Sequence, residues 1–500
     1  MELLIEGLMN LLDLKVILFL MLGVVLGIAI GSLPGLTSTM GVALMLPLTF
    51  GMEPVVGILL LIGVYFGSVY GGSITAILIN TPGTPASAAT VMDGYPLSQK
   101  GLAQKALTVS ILSCTIGGMF SVLVLIFVAP HLADFALKFS APESFALALF
   151  GLSIVSSIAG ASMIKGLMAG VAGLLIATIG MDPIGGFSRF TFDYNELSTG
   201  VDFIPVMIGL FAASEAFKSM EDIFSVKNIK VTVEKAKLKW VEFKTIFGTL
   251  LRSSGIGTFI GMIPGAGADI AAFVAYNEAK RFAKNKEEFG KGDIRGVAAP
   301  EAAGNSVTGG AMIPLLTLGI PGDAVAAVLL GALMVQGIEP GPMLFETNGP
   351  LVYTLFIGML LANILMLIFG LSAIRLFIKV LYIPKAILTP IIITLCVVGS
   401  YALNNSYFDV LVMFVAGVVG YFMKKASIPA SPVILGLILG PMMESNLRRS
   451  LVMSNGNLDV FYTRPITLVL IILALLTLLS PIVMNKIRNR GEKKHENYRL

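Results

Sequence analysis

Apolar residues fill this chain in runs of about 17–25 positions, the length at which a helix crosses a hydrocarbon core of about 30 Å. Such runs occur near 15–33, 40–66, 106–129, 143–162, 164–181 and 201–217. They recur near 246–276, 302–320, 323–338, 350–378, 386–403, 408–423, 428–443 and 465–485. Several are short or broken by Pro and Gly, and the pattern predicts about 12 crossings. The expected fold is an all-α polytopic membrane protein in two structural repeats. Val16–Ile30 has no small-residue cleavage site after it and is expected to be a retained first span.

Polar positions divide the pattern. The longest interruption is Ser219–Lys244, which holds Lys227, Lys230, Lys235, Lys237, Lys239 and Lys244. Val231-Thr232-Val233 predicts a brief extended piece, and Val233–Phe247 an interfacial amphipathic helix. A second hydrophilic stretch is Lys280–Arg295. Basic loops mark the cytoplasmic side, so both stretches, with the basic tail from Lys486, are expected there. Residues 253–279 then enter and leave from one side, and Pro264-Gly265-Ala266-Gly267 becomes the tip of a re-entrant hairpin. A single crossing would instead put Lys280–Arg295 outside, against the charge rule. The expected divisions are 1–218 as a first half, 219–247 as a cytoplasmic connector and 248–445 as a second half. Residues 446–485 form a C-terminal span and 486–500 a cytoplasmic tail.

A short unit occurs once in each half. The first copy reads Gly31-Ser32-Leu33-Pro34-Gly35-Leu36-Thr37-Ser38-Thr39, then Gly71-Gly72-Ser73, then Asn80-Thr81-Pro82-Gly83-Thr84. The second reads Gly261-Met262-Ile263-Pro264-Gly265-Ala266-Gly267-Ala268-Asp269, then Thr308-Gly309-Gly310, then Gly319-Ile320-Pro321-Gly322-Asp323. A Pro-Gly pair breaks a helix and frees backbone polar groups, which at membrane depth are tolerated only against protein or a wet cavity. Paired, interrupted segments in two halves point to a transporter's binding site, and inverted repeats are common there.

Composition narrows the class. The chain is 56% hydrophobic and 13% charged, about half the charge of a soluble domain. Residues 16–99 and 296–374 contain no Lys or Arg, which excludes two ordinary soluble domains. The basic tail fits a juxtamembrane position better than a nucleic-acid contact. Two cysteines, Cys114 and Cys396, lie inside apolar runs and argue against a disulfide framework or a Cys-rich metal site.

The tips supply the candidate chemistry. Helix N-terminal amides carry a partial positive charge and bind anions without a basic side chain. Pro34, Gly35, Thr37, Ser38, Thr39, Asn80, Thr81, Pro82, Gly83 and Thr84 are the substrate-binding candidates in the first copy. Pro264, Gly265, Gly267, Asn305, Pro321 and Gly322 are those in the second. Close helix packing is the competing use of such small residues. Asp269 falls opposite Thr39, and Asp323 opposite Thr84. An acid at depth needs a partner, so Asp269, Asp323 and Glu301 are candidates for a coupling ion or proton; water-exposed acids at a hairpin mouth are the alternative for the two aspartates. Glu301 and Asn305 share one face of a helix. Only His131 and His495 are present, with no HExxH, nucleotide-binding or P-loop signature. The chain is not expected to be an enzyme, and an ion gradient is the default energy source.

At these residues the chain resembles the TctA family, the large membrane subunit of the tripartite tricarboxylate transporters. Gly31–Thr39, Gly71–Pro85 with Met92-Asp93-Gly94-Tyr95-Pro96, Gly261–Asp269 and Glu301–Asp323 carry the resemblance, and residues 316–322 are its most specific piece. The resemblance implies a bacterial-type inner-membrane importer of di- or tricarboxylates, citrate-like organic anions, driven by Na⁺ or proton symport. It implies a small four-helix membrane subunit (TctB-like) and a periplasmic solute-binding protein (TctC-like), with Na⁺ as the one conceivable bound cofactor. Alternating access with an elevator-like movement of the hairpins is the expectation by analogy. An uncoupled organic-anion channel or facilitator is the alternative.

Overall fold

The computed structural model describes residues 2–158, 163–182, 185–221, 238–372 and 385–478. These are helical almost throughout, and the one sheet among them pairs β1 (Gly180–Met181) antiparallel with β2 (Ser188–Arg189). Seven described helices are long and apolar enough to cross a membrane, accompanied by shorter apolar helices such as Ser38–Thr49 and Ala324–Val335. The protein is an all-α, multi-pass membrane protein. Compactness divides the chain into one unit of Met1–Leu137 with Ile204–Tyr421, and another of Lys138–Phe203 with Phe422–Leu500. Val231-Thr232-Val233 and the tail from Lys486 lie outside the described residues.

In the first unit, α1 (Glu2–Leu11) precedes α2 (Leu14–Gly31), α3 (Ser38–Met45) and α4 (Pro54–Ile79). A 3-10 turn, Pro85–Ala88, leads to α5 (Val91–Gln99) and α6 (Ala103–Ala136). The expected run 40–66 is thus two elements, because Gly51 turns at φ +75° and Pro54 starts a new helix. α4 continues to Ile79 and is the core of the unit, with 94% of its apolar window buried.

The packing of α2 on α4 comes from small residues. Gly23, Gly27 and Gly31 meet the backbone of Leu60, Val64 and Ser68, while Gly63, Gly67 and Gly71 meet that of Leu20, Val24 and Ile28. Four-residue spacing keeps each set on one face, and without side chains the backbones approach to van der Waals contact, which drives association in lipid. Residue numbers rise together, so the two helices are parallel, and α4 runs roughly two turns past the end of α2, from Gly71 beside Gly31 to Ile79.

The second copy repeats this. After the described part of the connector come α11 (Trp240–Gly261), α12 (Gly267–Phe282), α13 (Ile294–Leu318) and α14 (Ala324–Val335). Trp240–Phe247 forms the first turns of α11, not a separate interfacial helix. Gly257 lies on Ala303 and Gly261 on Val307, as Gly27 lies on Val64 and Gly31 on Ser68; Gly310 lies on Thr258 as Gly71 lies on Ile28. α11 and α13 are therefore parallel, and their N-termini, at Lys239 and at the Lys280–Arg295 stretch, share one end of the pair.

The remaining long helix, α16 (Gly349–Ser372), meets α4 through Gly358 on Leu59 and Gly370 beside Tyr70, while α6 meets α13 through Gly117 on Ala302 and Gly309 on Ser121. Each half's long trailing helix thus lies along the other half's core helix. In the second unit, Arg464 reaches Glu143 at 2.8 Å and Arg448 reaches Asp182 at 2.8 Å. Beside Glu444 there is an apolar cavity of about 220 Å³ between Leu174, Gly440 and Leu447.

Candidate functional site at the helix tips

In each half the chain folds back after the longer helix, returning Gly83 to Gly72 beside Gly31 and Gly322 to Ala311 beside Gly261, so that the two tips meet. α2 ends at Gly31, and the chain reverses through Gly35 at φ +96°; α11 ends at Gly261 and reverses through Gly265 at φ +80°. Only glycine holds that conformation without cost. α4 ends on Asn80 and α13 on Gly319, both left-handed. Pro82 and Pro321 follow and cannot continue the helix.

Gly83 and Gly322 serve a different need. A Cβ on Gly83 would stand 2.2 Å from the Gly31 carbonyl oxygen, and one on Gly322 would stand 2.3 Å from that of Gly261. The Gly83 amide donates to Gly72 O at 3.1 Å, and the Gly265 amide to Gly322 O at 2.7 Å. In each half the second tip is seated on the end of the helix that leads to the first. The exposure differs: Asn80, Pro82 and Gly35 are exposed, whereas Pro321, Gly322 and Asp323 are buried.

The helices that start at these tips offer unequal anion seats. Thr37 caps α3 by accepting from the Met40 amide at 3.2 Å, and the Ser38 and Thr39 amides meet no acceptor among the described residues. Asp323 caps α14 with its own carboxylate, accepting from the Ala326 amide at 2.7 Å, and also accepts from the Tyr65 hydroxyl at 2.6 Å. Asp269 stands exposed in the first turn of α12, within electrostatic range of Asp323. The end of α3 carries no acid of its own, while the second copy's ends carry Asp269 and Asp323.

Glu301 lies deep in α13. Its carboxylate accepts from Ser73 of α4 at 2.6 Å, Ser110 of α6 at 2.9 Å, the Cys114 thiol at 3.0 Å, and Thr90. Beside it runs a crevice between Val69, Ser73, Ala86, Ser87, Pro300 and Gly304, too narrow for a water molecule. Asn305 is placed away from the tips: its amide donates to Cys114 O at 2.7 Å and reaches Asn363 of α16 at 3.4 Å. The shared helical face of Glu301 and Asn305 is real, and it is directed at Cys114.

Several neighbours were not singled out by sequence. Tyr65 carried no signal, being one aromatic in an apolar run. Ser73 and Asp93 stand inside quoted motifs without an assigned role. Asp93 accepts from Tyr276 at 2.8 Å and from the amides of Gly290, Gly292 and Asp293 at 2.9, 2.7 and 2.8 Å. Glu215 has its carboxylate 3.8 Å from where a Gly35 Cβ would be. It follows a π-helical turn, Ile208–Ala213, that re-aims the helix beside α3.

The sequence model of the "Tripartite tricarboxylate transporter TctA family" matches residues 17–435. The chain is 39% identical over 480 residues to an "Uncharacterized 52.8 kDa protein in TAR-I ttuC' 3'region" of Agrobacterium vitis, covering 95% of each protein. It is 40% identical over 227 residues to an "Uncharacterized protein in TAR-II ttuC' 3'region" of the same organism, covering 44% of this chain and 94% of that protein.

Proposed function

The chain belongs to the tripartite tricarboxylate transporter TctA family, and from that premise we propose that it is a secondary importer of di- or tricarboxylates across the cytoplasmic membrane. The observation that carries the reading is the open end of α3. Two amides without acceptors among the described residues stand there beside the Thr37, Ser38 and Thr39 hydroxyls, and the Asn80–Thr84 tip is exposed at Asn80 and Pro82. A carboxylate at such an end is stabilised by hydrogen bonds and by the helix dipole.

The acids oppose the anion. Asp269, Asp323 and Glu215 surround the tips with negative charge, so an organic anion enters favourably only with a cation or protons. This supports symport over a passive pore. Na⁺ or H⁺ would be the coupling species, and Asp269, Asp323 and Glu301 its candidate partners.

The relation between α4 and α13 supports inverted repeats. Along α4 from Tyr65 to Ser73, the partners run backward from Asp323 to Glu301. Equivalent helices of the two halves would therefore point in opposite directions, as in transporters built from inverted repeats. The narrow crevice at Glu301 fits a closed stage of that cycle, with tip movement opening the site. By the positive-inside rule the basic connector and C-terminus would lie in the cytoplasm. A small membrane subunit and a periplasmic binding protein would complete the assembly.

The test is counterflow in proteoliposomes of the full chain. Vesicles preloaded with unlabelled citrate should take up labelled citrate against dilution, and other di- and tricarboxylates should compete where monocarboxylates do not. No exchange with any carboxylate of such a panel, with the protein inserted, removes the reading.

A further inference from the structure

We propose that Glu301 is the proton-binding residue of a buried coupling site behind the Asn80–Thr84 tip, so that the driving ion is H⁺ rather than Na⁺. This rests on the transport reading and deepens it.

The cage around the carboxylate is neutral. Ser73 from α4, Thr90 from the start of α5, and Ser110 and Cys114 from α6 are its hydrogen-bond partners. The titratable groups facing it are Cys114 of α6 and Tyr70 of α4; among the described residues no Lys, Arg or His pairs with it. An ionised carboxylate buried without a counter-charge costs several kcal/mol. A bound proton removes that cost.

The chemistry of the cage suits both protonation states. Each hydroxyl is a donor and an acceptor and turns about its own bond. Three hydroxyls can point at an ionised Glu301, and any one can turn to accept from the neutral acid, with the heavy atoms in place. Guanidinium or ammonium partners would fix the charged form. A Na⁺ ion needs several oxygen ligands and about the room of a water molecule, and the crevice has no such room.

Position links the proton to the tip. The crevice wall includes Ala86 and Ser87, which follow the tip directly, and Gly304, over which Ala86 is packed. Release of the proton leaves a charge that must be solvated, and the crevice admits water only if the Pro85–Ala88 turn moves off α13. Proton occupancy and tip seating are thus two readings of one event.

The test compares the wild-type chain with Glu301→Gln in proteoliposomes, using citrate as the probe. Gln copies the neutral acid and keeps the cage filled. The wild type should accumulate citrate on a pH gradient and not on a Na⁺ gradient. Glu301→Gln should lose gradient-driven accumulation more than tenfold while exchange remains measurable. Accumulation driven by Na⁺ alone, or undiminished pH-driven accumulation in Glu301→Gln, overturns the proposal. Absence of exchange in the wild type removes the transport reading itself, and this proposal with it. A second variant guards against misfolding. Ser73→Ala with Ser110→Ala withdraws two donors to the charged form and should move the pH profile of uptake about one unit upward; an unmoved profile counts against the site.

Discussion

The Tyr65 hydroxyl donates to the Asp323 carboxylate across 2.6 Å, joining the core helix of one half to the tip of the other. The same carboxylate caps α14. Two functions meet in one side chain: it ends the second tip and anchors it to α4. A buried hydrogen bond to a charged group contributes about 1.5–3 kcal/mol. Tyr65→Phe, which leaves the ring in place, should therefore lower thermal stability in detergent and reduce uptake. In a double-mutant cycle with Asp323→Asn the coupling should be about 2 kcal/mol; additive effects would mean that the contact contributes nothing.

Gly83→Ala and Gly322→Ala test the seating of the tips. Each new Cβ would fall within 2.3 Å of a carbonyl oxygen, on Gly31 and Gly261 respectively. Backbone at that distance cannot step aside as a flexible side chain does. Both variants should insert normally and lose uptake at least tenfold. Gly248→Ala, where nothing stands within 4 Å, is the control and should transport as the wild type does. Equal activity in all three would show that the tips tolerate displacement.

Asp93 holds the loop before α13 with three backbone amides and the Tyr276 hydroxyl on one carboxylate. Asp93→Ala leaves those donors without an acceptor in a buried place, at a cost of about 1–3 kcal/mol for each one that stays dry. The loop should loosen before the unit does. Trypsin cleavage after Lys284, Lys286 and Lys291 should rise several-fold in membranes where that face is accessible. Asp93→Asn, which keeps an acceptor oxygen, should be intermediate. Wild-type cleavage in Asp93→Ala would refute the clasp.

Much of this architecture was legible in the sequence because lipid makes helix the default and Pro-Gly pairs punctuate it. The four tips, the break at Pro264-Gly265 and the pairing of Thr39 with Asp269 could all be read from residue order. The Gly23-Gly27-Gly31 spacing carries a packing signal of equal strength, because a run of apolar residues marks a span whichever face its glycines share. The neighbours of Glu301 and Asp323 were not legible. Tyr65, Thr90, Ser110 and Cys114 come from helices remote in sequence, and only the crossing of α4, α6 and α13 decides which face of each they occupy. In the sequence Gly83 stands out as half of a helix-breaking Pro-Gly pair, whereas the structure requires it for close approach to Gly31.

The unequal helix ends yield the sharpest prediction. Asp269 stands in the first turn of α12 and Thr39 at the matching place in α3. Thr39→Asp would copy the second half's acid into the first. An acid in the first turn of a helix is locally favourable by about 0.3–1 kcal/mol, so α3 should be at least as stable as before. A guest carboxylate about 6 Å away would be repelled by about 3 kcal/mol at an effective dielectric of 20, more than a hundredfold in affinity. Thr39→Asp should thus abolish citrate exchange without loss of thermal stability, and Thr39→Asn, equal in size but neutral, should retain it. Asp269→Asn should change the ion dependence of uptake more than its selectivity among carboxylates. If Thr39→Asp exchanges citrate as Thr39→Asn does, the anion is not seated on α3, whatever the merit of the rest. If Asp269→Asn alters selectivity and leaves ion dependence intact, the roles of the two ends are reversed.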